Sequence, residues 1–223
     1  LSNIMLDSLD KELEKRGHKF CRYADDCNIY VKSKRSGLRV LDSITKYLKQ
    51  RLKLKVNTNK SAVASPIKRK FLGYTFYYTK DGVKFRVHEK SYRRFKKKIK
   101  EITNRNISMN FGYRLKRLNQ ITVGWINYYK LANMKKKLKE IEKWTRRRLR
   151  ACIWKTWKKV KTRYKCLRRL GVPKGKAWEH ANTRKGYWRI AGSPILSKTI
   201  TNQKLINHGF KSLSLQYEKV RLS

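Results

Sequence analysis

Acidic side chains are scarce in this 223-residue chain: 14 Asp and Glu stand against 60 Lys and Arg, a formal net charge of +46. That imbalance excludes a surface knitted together mainly by ion pairs. Its self-repulsion opposes folding, so it points to a polyanionic partner. No apolar run approaches the twenty or so residues that a spanning helix needs. The basic residues are spread along most of the chain, which favours nucleic acid over a membrane surface. The four cysteines, Cys21, Cys27, Cys152 and Cys166, lie far apart and lack nearby His partners, which argues against a zinc site. Nothing resembles a signal peptide, so the expected location is cytoplasmic, with reduced thiols and nucleic acid as company. Histidine is equally sparse: His180 and His208 are isolated, and no His-Asn-His endonuclease pattern follows the basic half.

What is present is enough for a core, with 39% apolar residues including 6 Trp, 13 Tyr and 7 Phe. Charge divides the chain: residues 1–90 carry 22 basic and 9 acidic side chains, residues 91–223 carry 38 and 5. The first part alternates helix and strand signals. A helix is expected over 3–16, strands over 19–24 and 27–32, and a helix from Gly37 to about Gln50 capped by Ser36. Leu52, Leu54 and Val56 alternate with lysines as a half-exposed strand would. Phe71 to Thr79 and Val83 to Val87 read as a hairpin around Asp81-Gly82. From Ser91 the apolar period becomes helical: one helix to Ile102, a second through Leu115 to Tyr128, and a long third from Met134 to Leu170, ended by Gly171-Val172-Pro173. Residues 174–223 are less regular, with one or two short helices and a loose tail expected. The fold class is therefore α+β, an antiparallel sheet with helices followed by an α-helical region.

The stretch Phe20 to Val31, FCRYADDCNIYV, places two of the few acids, Asp25 and Asp26, between two β-prone runs. Adjacent carboxylates repel unless cations are near. Hard oxygen donors suit Mg²⁺, which takes one or two carboxylates plus phosphate oxygens, and two such ions can stabilise both reacting oxygens of phosphoryl transfer. The plain alternative is a hairpin turn that uses Asp for its turn chemistry.

RYADD between two strands, NKS after the next apolar segment, KFLGYTF beyond it and GWINYY in the helical region resemble, in order, a group II intron reverse transcriptase/maturase. The resemblance covers nearly the whole chain. It implies the C-terminal part of a polymerase palm over 1–90, a helical thumb/maturase domain over 91–170 and a basic extension over 171–223. The opening at Leu1, straight into a helical pattern, fits a piece of a longer protein. By resemblance Asp25 is the main Mg²⁺ ligand, with Asp26 assisting it. Lys60 lies near nucleotide phosphates. Tyr23 and Ala24 sit near the incoming nucleotide, and Phe71, Leu72, Gly73 and Tyr74 position the primer. The implied partners are intron RNA and template RNA, a DNA primer and deoxynucleoside triphosphates, with Mg²⁺ as cofactor and no membrane.

Each assignment has a plainer counterpart. Lys60 is one of many solvated lysines, and Phe71, Leu72 and Tyr74 suit a hairpin core. Gly73 inside a strand suggests a close approach. On the helical stripe Trp125 and Tyr128 suit packing, whereas Tyr129, one step off it, suits stacking on a base. With so few acids for salt bridges, Arg146, Arg147, Arg148, Arg150, Lys158, Lys159, Arg168 and Arg169 are expected to meet RNA phosphates. The family's polymerase site needs three carboxylates. Asp7 and Asp10 lie in a helical pattern that does not match the missing position, and the finger segments are absent from these residues. The expectation is a polymerase segment that does not extend primers by itself. Alternatives are a non-enzymatic RNA-binding maturase, a degenerate remnant, or a cationic membrane-surface protein.

Overall fold

A computed structural model of the chain describes residues 2–222. It divides into two compact units, one running up to Val83 and the other from Lys84 onward.

In the first unit, helix α1 (Ser2–Lys15) and helix α2 (Lys34–Gln50) flank the hairpin β1 (Lys19–Tyr23) and β2 (Asp26–Tyr30) in sequence. The strands pair antiparallel, Lys19 opposite Tyr30 and Tyr23 opposite Asp26. Two-stranded hairpins are marginal alone, and here the helices cover one face. Leu9, Leu13 and Ile44 are buried, with Leu6, Phe20, Cys27, Ile29, Val40, Tyr47 and Leu48 packed against them. The start of α2 differs from the expected one. Ser33 is its N-cap and accepts from the Ser36 N–H at 3.1 Å, so Ser36 lies inside the first turn.

Leu52, Leu54 and Val56 keep their alternating burial, yet they form no strand. Alternation marks a half-buried extended chain, and only a pairing partner makes it a strand. Beyond this segment Tyr74–Thr79 (β3) and Gly82–Val87 (β4) pair as a hairpin, with the Thr79 hydroxyl donating to the Gly82 carbonyl at 2.9 Å.

The second unit is helical after β4. Helix α3 (Glu89–Ile102), α4 (Phe111–Tyr128) and α5 (Lys135–Thr156) bury Phe95, Ile99, Leu115, Leu118, Ile126, Leu138 and Leu149. The expected long third helix is broken. α5 stops at Thr156, and α6 (Val160–Arg169) begins after Trp157, whose carbonyl accepts from Arg163 Nε at 2.9 Å rather than continuing a helical ladder. The tail is not loose either. It forms α7 (Lys174–Ala181), α8 (Tyr187–Ala191), α9 (Pro194–Thr199), α10 (Asn202–Asn207) and α11 (Leu213–Leu222). Helices this short leave too few turns for a periodic signal. Instead each sinks one or two anchors: Ile190, Leu196, Leu205, Leu213 and Tyr217 are all at most 2% exposed.

Candidate functional site

The acidic hairpin is tighter than its sequence suggests. Tyr23 and Asp26 pair as the last rung of the ladder, so Ala24 and Asp25 alone make the turn. Ala24 adopts φ +55, a left-handed conformation that costs a non-glycine residue about 1 kcal/mol or more. Tyr23, Ala24, Asp25 and Asp26 are all exposed, Tyr23 at 64%.

One side chain holds this turn in place. Arg22 Nη1 donates to the Ala24 carbonyl at 2.9 Å and to Asn3 Oδ1 at 3.1 Å. Its Nε and Nη2 fork onto the Asp10 carboxylate of α1 at 2.7 and 2.5 Å. The turn that carries Asp25 is thus tied to a helix through a half-buried bidentate pair. The pair also disposes of Asp10 as a free acid, and Asp7 is likewise engaged, with Lys11 at 2.8 Å.

The Arg22 hydrogen bonds hold the Asp10 carboxyl below its ordinary value, outweighing the burial that acts the other way. A depressed carboxyl stabilises the fold fully above its unfolded value near 3.9, and that contribution fades as pH falls through the lower native value. Arg22→Met is therefore expected to cost about 2 kcal/mol at neutral pH. The difference from wild type should shrink steadily in urea titrations taken into acid, and a pH-independent difference would show that the pair contributes nothing through charge. Beneath the hairpin, burial and then the Asp10 charge push the Cys27 thiol up to about 11, which keeps it protonated and unreactive at neutral pH.

The other motif residues fall on turns. Phe71 and Tyr74 exchange both backbone hydrogen bonds, at 3.1 and 2.9 Å, around Leu72 (φ +50) and Gly73 (φ +84). Gly73 is therefore in a tight turn, not inside a strand. Left-handed backbone explains the glycine without any ligand approaching it. Lys60 follows the Asn57 turn, its N–H shared between the Asn57 carbonyl and Oδ1, while Arg69 Nη2 donates to its carbonyl at 2.9 Å. The Lys60 side chain is exposed. Among the described residues it makes no ion pair with Asp25 or Asp26.

Adjacent exposed carboxylates fit Mg²⁺ in donor type and leave room for phosphate oxygens and water. They fit less well in number. Among the described residues no group of three or more His, Cys, Asp and Glu lies together as a metal cluster.

The basic helices give the largest departure from expectation. The run on α5 faces inward instead of projecting cations to solvent. Arg146 pairs with Glu142 at 2.6 Å. Arg147 donates twice to the Trp188 carbonyl, at 3.2 and 2.9 Å. Arg148 reaches Thr103 Oγ1 at 2.6 Å and the carbonyls of Lys100 and Thr103. Arg150, 9% exposed, donates to the Ile200 carbonyl at 3.0 Å, and burial lowers its pKa. A guanidinium carries five donors, and here they are placed on carbonyls at helix ends. Arg168 does the same with Val172 O at 2.8 Å, while Arg169, Lys158 and Lys159 are exposed.

The two tyrosines at the end of α4 exchange the burial expected of them. Tyr129 is 8% exposed and packs on Trp125 at 4.7 Å, while Tyr128 is 54% exposed. Tyr129 continues the buried line of α4 through Leu115, Leu118, Thr122 and Ile126, and its N–H still closes the last turn onto the Trp125 carbonyl. Trp125 does pack, stacked on Phe95 at 4.1 Å and 6°. Residues that the sequence reading passed over include Asp10 as a partner of Arg22, and Trp188. No spacing rule links positions 10 and 22, and Trp188 sits in a five-residue helix without a periodic context.

Residues 1–76 match the family described as "Reverse transcriptase (RNA-dependent DNA polymerase)", and residues 92–171 match "Group II intron, maturase-specific domain". Together these matches span more than two-thirds of the chain. No curated protein matches it. No helix among the described residues is long and apolar enough to cross a membrane.

Proposed function

We propose, for a chain that belongs to the group II intron reverse transcriptase/maturase family, that its helical unit binds intron RNA while its hairpin contributes two carboxylates to a polymerase metal site. The observation that carries the second half is the acidic turn: Asp25 and Asp26 stand exposed at the tip of a hairpin clamped by Arg22. When bound there, Mg²⁺ would neutralise charge developing on phosphate oxygens. Asp25 and Asp26 would hold it, Tyr23 would border the site, and Arg22 would keep the turn from shifting. With two carboxylates in hand, these 223 residues do not extend a primer by themselves. A further acid and the template-gripping elements have to be supplied alongside them.

A second reading, an RNA-binding maturase without chemistry, rests on the basic excess of 38 Lys and Arg over 5 Asp and Glu in residues 91–223. Both readings require the same first result. With structured intron RNA in filter binding, log affinity should fall linearly with log salt, with a slope near 0.9 per neutralised phosphate. Asp25→Asn should leave that line unmoved. A flat salt response would remove RNA from both accounts.

A further inference from the structure

A cleft of about 420 Å³ opens in the second unit between the end of α3, the loop after it, α5 and α8, within the range of ligand-holding pockets. From its geometry we infer that it holds one unpaired nucleotide of the bound RNA, the base stacked on Trp188 and its phosphates met by Lys97, Lys100 and Arg105. The inference rests on the RNA-binding reading above and specifies where an unpaired base would go.

Charge comes first. Lys97, Lys100, Arg105 and Arg148 line the cleft against one acid, Glu101. Lys97 and Lys100 are three residues apart on α3 and thus share a face. A helix C-terminus carries exposed carbonyls and partial negative charge, which would ordinarily repel a phosphate. Here that end is covered. Arg114, 3% exposed, donates to the carbonyls of Ile102, Asn104 and Ile107, and Arg148 takes those of Lys100 and Thr103. Two buried or half-buried guanidinium groups thus turn a repulsive helix end into a cationic wall. The lysines and Arg105, all exposed, are left for the ligand.

The stacking surface is equally fixed. The Arg147 guanidinium lies over the Trp188 ring at 4.1 Å while binding the Trp188 carbonyl. It fits there because residue 192 is glycine: a Cβ at that position would come within 2.5 Å of the guanidinium carbon. One side of the indole is thereby backed by a cation. Trp188 lines the cleft and is 39% exposed. Next to it Tyr187 is held between Arg105 at 5.4 Å and Lys155 at 4.9 Å. An aromatic face backed by Arg accepts any base, and only an unpaired base can reach it. Asn104 and Asn106 line the same cleft, with the Asn106 N–H donating to Asn104 Oδ1 at 3.0 Å, and side-chain amides are the kind of group that meets base edges in single strands.

The test uses the full chain and a short fluorescein-labelled single-stranded RNA carrying one 2-aminopurine, with a matched strand abasic at that position. Wild type should quench the 2-aminopurine emission, and the abasic strand should bind about tenfold more weakly at salt high enough to screen phosphates. Trp188→Ala should abolish the quench and bind both strands equally, while Trp188→Phe keeps most of the preference. Lys100→Ala should keep the quench and lower the salt slope by about 0.7. Equal affinity of wild type for the intact and abasic strands would overturn the nucleotide cleft, even if Trp188→Ala failed to fold. If wild type bound neither strand nor structured RNA, the RNA-binding reading itself would fall. Binding of both strands without preference would remove the cleft alone.

Discussion

Replacing Glu142 by alanine is expected to destabilise the helical unit by about 3 kcal/mol and to release its C-terminal helix. Glu142 is 4% exposed, and four donors converge on its carboxylate. Oε1 accepts from Arg146 at 2.6 Å and the Ser212 hydroxyl at 2.9 Å. Oε2 accepts from the Ser214 N–H at 3.0 Å and its hydroxyl at 2.7 Å. The Ser214 N–H belongs to the first turn of α11, so an acid from α5 supplies the negative group that a helix N-terminus favours. Alanine would leave these donors unpaired beside a cavity and remove the charge that pairs with Arg146. Glutamine keeps the shape and should cost only about 1 kcal/mol. Urea unfolding gives the magnitudes. Limited proteolysis should cut the alanine variant between His208 and Ser212, where Asn119 also clamps the chain through Gly209 O at 2.6 Å and the Lys211 N–H at 3.0 Å. Equal protease resistance in both proteins would mean that α11 is held by packing alone, through Leu213 and Tyr217.

That network explains why parts of the molecule could be read from sequence and others could not. The acidic hairpin, the second hairpin (its turn at Lys80-Asp81, one residue before the Asp81-Gly82 expected) and the first two helices of the basic half rest on local signals: alternating apolar residues, turn chemistry and apolar stripes three to four residues apart. Such signals act within a few residues, and the structure follows them. The arginines are different. Their number says that anions are wanted, but a guanidinium is satisfied by carbonyl oxygens as well as by phosphates, and which it meets depends on tertiary placement. Arg150 reaches a carbonyl fifty residues away, and Arg148 one forty-five away. The cationic surface is therefore carried more by exposed lysines than by the arginine run that draws the eye. Tyr128 and Tyr129 fail for a related reason. The buried line of α4 runs through Leu118, Thr122, Ile126 and Tyr129, and a threonine on it hides that line from an apolar-only reading, which follows Ile121, Trp125 and Tyr128 instead. Motif resemblance, by contrast, singles out Asp25 and Asp26 for attention without any of this, and it does not reach the Asp10–Arg22 clamp beside their turn.

If Asp25 holds Mg²⁺ as proposed, Asp25→Asn in an enzyme assembled with the remaining polymerase elements is expected to reduce primer extension at least about a thousandfold, because loss of a metal ligand would remove several kcal/mol of charge stabilisation from the reaction. The position in the fold argues for Asp25 over its neighbour. Asp25 occupies the second place of a two-residue turn, whereas Asp26 is a strand residue paired with Tyr23, so successive side chains leave the backbone in different directions. Asp26→Asn should accordingly be milder, about tenfold to a hundredfold, acting through the local charge that draws the cation. RNA affinity should be the same in both variants and in wild type, because the 60 Lys and Arg of the chain far outnumber these two acids. Arg22→Met supplies the structural control. It leaves both acids in the chain but frees the Ala24 carbonyl from its guanidinium, and a shift of about 1 Å at a reacting group can cost about a hundredfold. Its loss should appear in kcat at saturating nucleotide with little change in RNA affinity. If Asp25→Asn extended primers like wild type, the turn would be a structural use of aspartate, and the exposed lysines would leave an RNA-binding protein without chemistry. If Asp25→Asn failed while Arg22→Met did not, the turn would hold its shape from backbone pairing alone, and the left-handed Ala24 would need no clamp.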